Sequence, residues 1–179
     1  MWANTAFGPI DYLEWGAAGG VAVVLLHHGF GSATSLAPLA KALAERAPER
    51  RFIAYSRPGC GETPPLHKQR PADYLEQEAA RVLPAFLDAL EIGQAHVIGH
   101  SDGGTIALLA AADHPNRILS VSAIAPHVIF EDITEQGVRA IAARDAEPAF
   151  IAKLARQHAD PVYAYQGWRD HWLRPEMRN

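Results

Sequence analysis

Apolar segments of strand length alternate with segments of helical periodicity along the first 125 residues of the chain. Residues 21–26 form a continuous apolar run rich in β-branched side chains, which is typical of a parallel strand covered on both faces. Leu36, Leu39 and Leu43 recur at spacings of three and four residues, and this pattern predicts an amphipathic helix over residues 36–46. A strand, a glycine-containing loop and a helix thus follow one another in order.

The same order of strand, loop and helix occurs twice more before a fourth strand. The further predicted strands lie at residues 52–55, 96–98 and 119–125, and the further predicted helices lie at residues 72–90 and 103–112. Parallel strands joined by helices require right-handed crossovers, which place helices on both faces of one sheet. The predicted fold class is therefore α/β, with three layers built around a mostly parallel sheet.

Other parts of the chain depart from this regular alternation. The opening residues show a weak pattern that predicts one or two antiparallel edge strands. Pro84 is expected to bend or split the predicted helix that contains it. Residues 133–159 have helical periodicity without a further strand pattern. We therefore assign residues 1–130 to the core of the domain and residues 131–179 to a helical cap segment.

Composition and charge exclude several classes of partner. The chain has 179 residues and is 49% apolar, which is enough for one domain to bury a core. Its net charge of −4 provides no basic field for nucleic acid or an anionic membrane, and no apolar run is long enough to cross a bilayer. The single cysteine, Cys60, can form no internal disulfide, which fits a reducing compartment. We expect a cytoplasmic protein with a small-molecule substrate and neither a nucleic-acid nor a membrane partner.

A Gly-x-Ser-x-Gly pattern, Gly99 to Gly103, falls between a predicted strand and a predicted helix. This context is typical of a nucleophile elbow, a strained turn that needs small neighbours because the strand and the helix nearly touch. Ser101 is therefore the candidate nucleophile, and His100 is expected to support the turn. The helix that follows offers free N–H groups to an oxyanion, and the N–H of Asp102 is the natural first donor.

A second oxyanion donor is expected from the loop after the first long parallel strand. His28, Gly29 and Phe30 lie in this loop, which ends at the same edge of the sheet as Ser101. We predict that the N–H of Phe30 is this donor, and that His28 and Gly29 support the loop.

The chain contains three glycine-containing loops, at residues 28–31, 56–61 and 99–104. Because these loops occur in this order, the chain resembles the α/β-hydrolase superfamily. This resemblance implies an α/β-hydrolase-type sheet and a serine nucleophile. Members of that superfamily place an acid and then a histidine after the serine. The residues after Trp172 include neither an apolar β run nor a histidine, so the resemblance assigns no acid and no base. We expect a fold that is incomplete at its C-terminal end and that includes the start of a helical cap.

Residues nearer to the elbow offer alternatives for the acid and the base. Glu131 and Asp132 follow the fourth strand, where some family members carry the acid, although solvated carboxylates are the preferred interpretation. His127 at the same edge is a conceivable base, but a loop histidine that lines a substrate pocket is preferred. Trp168 and Trp172 either line an apolar substrate cavity or simply pack in the cap.

These observations favour a serine hydrolase that acts on an ester, thioester or similar carbonyl substrate through an acyl-enzyme on Ser101. The alternative is a truncated, non-catalytic domain that binds a partner or self-associates, because an exposed sheet edge would pair with a second chain. A lyase-like or haloperoxidase-like reaction on the same scaffold stays open. Neither a metal nor an organic cofactor is expected, since the sequence contains no ligand cluster and no dinucleotide fingerprint.

Overall fold

The computed structural model describes residues 1–144 and 147–178, which form one sheet flanked by helices. The strands in this part of the chain are β1 Trp2–Thr5, β2 Gly8–Gly16, β3 Ala22–Leu26, β4 Arg51–Tyr55, β5 Ala95–His100 and β6 Ile118–Ile124. The helices are α1 Ala33–Arg46, α2 Tyr74–Gln77, α3 Leu83–Ala89, α4 Asp102–Asp113, α5 Asp132–Ala142, α6 Pro148–Leu154 and α7 Pro161–Trp172. A π-helical turn, Glu78–Val82, joins α2 to α3, and a 3-10 turn, Pro175–Arg178, follows α7.

The strands lie in the order β1-β2-β4-β3-β5-β6. β3 pairs in parallel with β4 on one side and with β5 on the other, and β5 pairs in parallel with β6. β2 is antiparallel to β4, and β1 is antiparallel to β2. The predicted α/β class with a mostly parallel sheet is thereby confirmed, and the opening residues form two antiparallel strands at one side of the sheet.

The predicted helix at residues 72–90 is divided in the structure. α2 passes into the π-helical turn, and α3 begins at Leu83, so that Pro84 occupies the second position of α3. The backbone stays helical through this point, since Gln77, Val82 and Leu83 all have α-helical φ and ψ angles. The predicted helix is therefore interrupted by the π-helical turn directly before Pro84 and does not end there.

β3 is buried on both faces, as its continuous apolar pattern predicts. Val23 and Leu25 belong to a core cluster that includes residues of β4 and α1. Val24 and Leu26 belong to the larger cluster on the opposite face, with residues of α3 and α4. Burial of each of these side chains contributes about 1.5–3 kcal/mol to stability. This packing fixes the carboxyl ends of β3 and β5 at one edge of the sheet, where the loops with candidate chemistry lie.

The helices after β6 form the region that the sequence assigns to a cap. α5, α6 and α7 lie there, and the division of the chain at residue 130 stays a prediction. None of the described helices combines the length and the apolar character needed to cross a membrane.

β6 lies at the end of the strand order with one edge unpaired among the described residues. Leu119 and Ile124 on this strand are 45% and 48% exposed. The strand contains no lysine, glutamate or proline, the residue types that commonly protect an edge strand from pairing with another chain.

Self-association through β6 therefore stays a prediction for the 179-residue chain. We expect sedimentation velocity to show dimers or larger species, because an unpaired apolar edge pairs readily with a second copy. The double variant Leu119→Lys, Ile124→Lys is expected to shift the chain toward monomer, since charges on an edge strand oppose pairing. Val21→Lys, at an exposed apolar residue outside β6, is the matched control and is expected to leave the association unchanged. A wild-type chain that sediments as a monodisperse monomer would contradict this prediction.

Candidate active site

Ser101 lies on the turn between β5 and α4 in a backbone conformation that residues other than glycine rarely adopt. Its φ is 54° and its ψ is −121°, and its N–H donates to the C=O of Ile124 at 2.9 Å. A Cβ atom on Gly99 would lie 2.1 Å from the Gly103 carbonyl oxygen, and one on Gly103 would lie 2.2 Å from the Leu26 carbonyl oxygen. The strand and the helix therefore approach so closely that only glycine fits at both positions, a geometry that is typical of a nucleophile elbow.

The side chain of Ser101 faces the turn that follows β6. Its Oγ lies 3.5 Å from Nε2 of His127, and both residues are partly exposed. The N–H groups of Gly104 and Thr105 donate to the C=O of Ser101, which starts α4 directly at the serine. The positive end of the helix dipole therefore lies beside Ser101, where it favours a developing negative charge.

The two N–H groups predicted to hold an oxyanion belong to Phe30 and Asp102. Neither group donates a hydrogen bond within residues 1–144 and 147–178. The Phe30 loop is a tight turn in which the N–H of Gly31 donates to the C=O of His28 at 3.0 Å. Both donors are thus free to bind a ligand oxygen, and their role stays a prediction.

The histidine that orients this loop by hydrogen bonding is His27, and not His28. The backbone N–H of Arg57 donates to Nε2 of His27 at 3.0 Å, so Nδ1 carries the proton and donates to the C=O of His28 at 2.7 Å. Burial, and next the charge of Arg57, lowers the pKa of His27 well below its usual value, which keeps the ring neutral. His28 supports the loop by ring packing, with centroids 5.1 Å from Phe30 and 5.7 Å from His100.

His158 connects the region after β6 to the Phe30 loop. The N–H of Gly61 donates to its Nδ1 at 3.0 Å, so the proton lies on Nε2, which donates to the C=O of Phe30 at 3.0 Å. Burial lowers the pKa of His158 and favours this neutral form. The sequence analysis did not predict the contact of His158 with this loop, because no local pattern identifies a partner so distant along the chain.

The carboxylate of Asp102 is fully buried beneath the elbow. The hydroxyl of Tyr74 donates to its Oδ2, and the indole N–H of Trp172 donates to its Oδ1 at 3.2 Å. A guanidinium nitrogen of Arg57 lies 3.9 Å from Oδ2. Burial, and next the charge of Asp102, raises the pKa of Tyr74 well above its usual value, so the phenol stays protonated and able to donate. The sequence assigned only the backbone of Asp102 to the site, and the structure adds the side chain as the anchor of α7.

Trp168 has the packing role that the sequence left open for it, and it is absent from the lining of the open groove that His127 and Trp172 border. Its ring is buried against the Phe30 loop, and the centroids of the Trp168 and Phe30 rings are 4.8 Å apart. A Cβ atom on Gly29 would lie 1.9 Å from Cδ1 of Trp168, so Gly29 is required for this contact. Trp168 therefore covers the loop and positions it without contacting the groove.

An open groove of about 630 Å³ extends from the turn after β6. His127 and Trp172 contribute to its wall, and their role in a substrate pocket stays a prediction. Most of the remaining lining is apolar, and the lining residues are Leu75, Glu76, Thr105, Leu108, Leu109, Ala112, His127, Val128, Ile129, Phe130, Trp172, Glu176 and Met177.

The remaining candidate residues lie away from Ser101. Glu131 and Asp132 are exposed at the start of α5, and neither side chain has a hydrogen bond to His127 in the described residues. Cys60 is a buried free thiol whose Sγ lies 3.6 Å from a guanidinium nitrogen of Arg70. Within residues 1–144 and 147–178, no group of three potential metal ligands is present.

His171 in α7 is buried, and both of its ring nitrogens are unpaired in the described part of the chain. Its ring lies edge-on to Tyr74, with centroids 4.5 Å apart, and burial lowers its pKa to about 4. In the unfolded chain an imidazole has its ordinary pKa of about 6.5. The unfolded state therefore binds more protons between pH 6.5 and 4, so the contribution of His171 to stability is complete above pH 6.5 and is lost as the pH falls.

Replacement of His171 by phenylalanine is expected to reduce the acid sensitivity of the fold. Phe keeps the ring contacts but takes up no proton, so the free energy of unfolding of the variant relative to wild type is expected to rise by about 2 kcal/mol from pH 7.5 to pH 5. Urea unfolding at the two pH values measures this difference. An identical difference at both values would show that His171 does not titrate between them.

Comparison with known proteins places the chain in a family. Residues 22–176 match the family model described as alpha/beta hydrolase fold. The chain is 33% identical over 153 residues to the dihydrolipoyllysine-residue acetyltransferase component of the acetoin cleaving system of Pseudomonas putida, covering 86% of this chain and 40% of the relative. It is also 33% identical over 100 residues to a proline iminopeptidase of Lactobacillus helveticus, covering 55% of this chain and 33% of the relative. The chain thus spans well under half of these relatives.

Solved structures show the same fold. Naproxen esterase, carboxylesterase NP, from Bacillus subtilis matches with a TM-score of 0.70 at 20% identity, over 95% of this chain and 60% of that chain. The enol-lactonase from Burkholderia xenovorans LB400 matches with a TM-score of 0.70 at 18% identity, over 96% of this chain and 72% of that chain. The resemblance inferred from the three loops is confirmed, and the chain belongs to the alpha/beta hydrolase fold family.

Proposed function

We propose that the chain is a serine hydrolase that cleaves an ester, thioester or similar carbonyl substrate through an acyl-enzyme on Ser101. The observation that carries this proposal is the strained φ of 54° at Ser101, directly before α4. Strain of this kind costs about 1–3 kcal/mol and is concentrated at functional sites. A turn serine without chemistry gains nothing from such a conformation, whereas a nucleophile gains exposure at the end of the sheet.

The surrounding groups support acyl transfer at this serine. Attack of Ser101 Oγ on a carbonyl carbon forms a tetrahedral intermediate with a negatively charged oxygen. The unpaired N–H groups of Phe30 and Asp102 are suited to bind that oxygen, and removal of one such donor typically costs 10²–10³ in rate. Collapse of the intermediate expels the alcohol or thiol, and water then releases the acid from the acyl-enzyme.

The groove supports a substrate with a neutral, apolar acyl chain. His127, whose Nε2 lies 3.5 Å from Ser101 Oγ, is part of its lining, and Val128 and Ile129 form part of its apolar wall. Glu76 and Glu176 also line it, and their carboxylates disfavour a chain that carries negative charge. The neighbouring structures of an esterase and an enol-lactonase fit this class of substrate, since both names describe cleavage of an ester bond.

Labelling with a fluorophosphonate tests whether Ser101 is a reactive nucleophile. Intact mass is expected to show one adduct per wild-type chain and none in Ser101→Ala, because the probe reacts with an activated serine. Ser122→Ala, at an exposed serine of β6, is the matched control and is expected to label as wild type does. Labelling that survives Ser101→Ala would overturn the proposal. Absence of labelling in a folded wild-type chain would favour the non-catalytic alternative.

Hydrolysis of p-nitrophenyl esters of increasing acyl length tests the role of the groove. We expect kcat/KM to rise from acetate to octanoate, since each buried methylene contributes about 0.8 kcal/mol. Ile129→Glu, at a side chain that is 69% exposed, is expected to lower kcat/KM about tenfold for octanoate and little for acetate. Val21→Glu, at an exposed site outside the groove, is expected to change neither value. Equal losses on both esters in Ile129→Glu would place the acyl chain elsewhere.

A further inference from the structure

The turn after β6 brings His127 to the candidate nucleophile. The hydrogen bond from the N–H of Ser101 to the C=O of Ile124 joins the end of β6 to the elbow. Ala125 then adopts a φ of 46°, a left-handed conformation that turns the chain sharply, and the ring of Pro126 fixes the φ of that residue. The chain thereby returns toward the elbow, and Nε2 of His127 lies 3.5 Å from Ser101 Oγ.

Thr105 fixes the backbone of His127 to the helix that begins at Ser101. The hydroxyl of Thr105 donates to the C=O of His127 and accepts from its N–H, both at 3.0 Å. Thr105 lies about one helical turn after Ser101. Movement of the loop away from the serine therefore requires the loss of two hydrogen bonds.

The ring of His127 is positioned by Trp172. The two ring centroids are 4.9 Å apart, and Phe130 stacks on Trp172 with a centroid distance of 6.1 Å and an interplanar angle of 13°. Trp172 is anchored in turn by its hydrogen bond to the carboxylate of Asp102, the residue next to Ser101. The imidazole is thus held by groups that are themselves attached to the elbow.

The other nearby histidines are poorly placed to serve Ser101. Among the described residues, only His127 has a ring nitrogen within hydrogen-bond distance of Ser101 Oγ. His28 packs against Phe30, and burial, and next the neighbouring His100, lowers its pKa to about 4. It is therefore a weak proton acceptor at neutral pH.

We propose that His127 is the general base for Ser101, an inference that rests on the proposed function. In acylation, a bond forms between Ser101 Oγ and the carbonyl carbon while the hydroxyl proton passes to His127 Nε2. The bond from that carbon to the leaving oxygen or sulfur then breaks, and Nε2 returns the proton to the leaving group. In deacylation, His127 takes a proton from the attacking water and returns it to Ser101 Oγ as the carboxylic acid leaves.

The inference is tested with the full 179-residue chain by the rate of fluorophosphonate labelling and by hydrolysis of a p-nitrophenyl ester. His127→Ala is expected to lower both rates by about 10²–10⁴, the usual contribution of a general base, and added imidazole is expected to restore part of the loss. His67→Ala, which removes an exposed imidazole, is the matched control and is expected to retain the wild-type rates with no response to imidazole.

A second variant keeps the test decisive if His127→Ala does not fold. Thr105→Val keeps the volume of the side chain and removes both hydrogen bonds to His127, so labelling is expected to slow about tenfold or more while circular dichroism and Tm report a folded chain. Wild-type labelling rates in a folded His127→Ala or Thr105→Val chain would overturn the role of His127 and leave Ser101 as the nucleophile. A wild-type chain that does not label at Ser101 would overturn both proposals.

Discussion

The close approach of β5 to α4 is the constraint on which the rest of the site depends. Carbonyl oxygens lie just over 2 Å from the positions that Cβ atoms would take on Gly99 and Gly103, so the strand can pass into the helix only through a tight turn. Ser101 occupies that turn with a positive φ, and its hydrogen bond to Ile124 holds it to the neighbouring strand. Because the surrounding backbone fixes this conformation, the strain persists in the folded state. The same turn aligns the start of α4 with the serine and brings the end of β6 to it.

Buried polar groups beneath the turn hold the surrounding elements to it. A buried carboxylate is costly unless it is paired and hydrogen-bonded, and Asp102 meets this requirement through Tyr74, Trp172 and Arg57. These partners lie in α2, in α7 and in the loop after β4, so three separate segments converge on the residue next to the serine. The neutral imidazole of His158 also donates a hydrogen bond to the C=O of Phe30 in this loop. The backbone N–H groups and side chains around Ser101 are thus held in place by the fold, and fixed donors of this kind stabilise a developing charge most strongly.

The features that sequence reasoning could predict are those that local pattern controls. The strands, the turn at Ser101 and the loop at Phe30 follow from apolar runs and glycine positions within a few residues, and the fold class follows from their order. Contacts between distant segments have no such signal. The partner of Trp172 is 70 positions away, and that of His158 is 128 positions away. The aromatic pattern of α7 likewise does not distinguish Trp168, which covers the Phe30 loop, from Trp172, which lines the groove.

We propose above that Ser101 carries the acyl group during turnover. Acid quenching during hydrolysis of a p-nitrophenyl ester, followed by tandem mass spectrometry, locates any acyl adduct on the chain. We expect a single adduct on the peptide that contains Ser101, formed at the same rate as the burst of p-nitrophenol. An adduct on another residue, or turnover with no covalent intermediate and no burst, would contradict it.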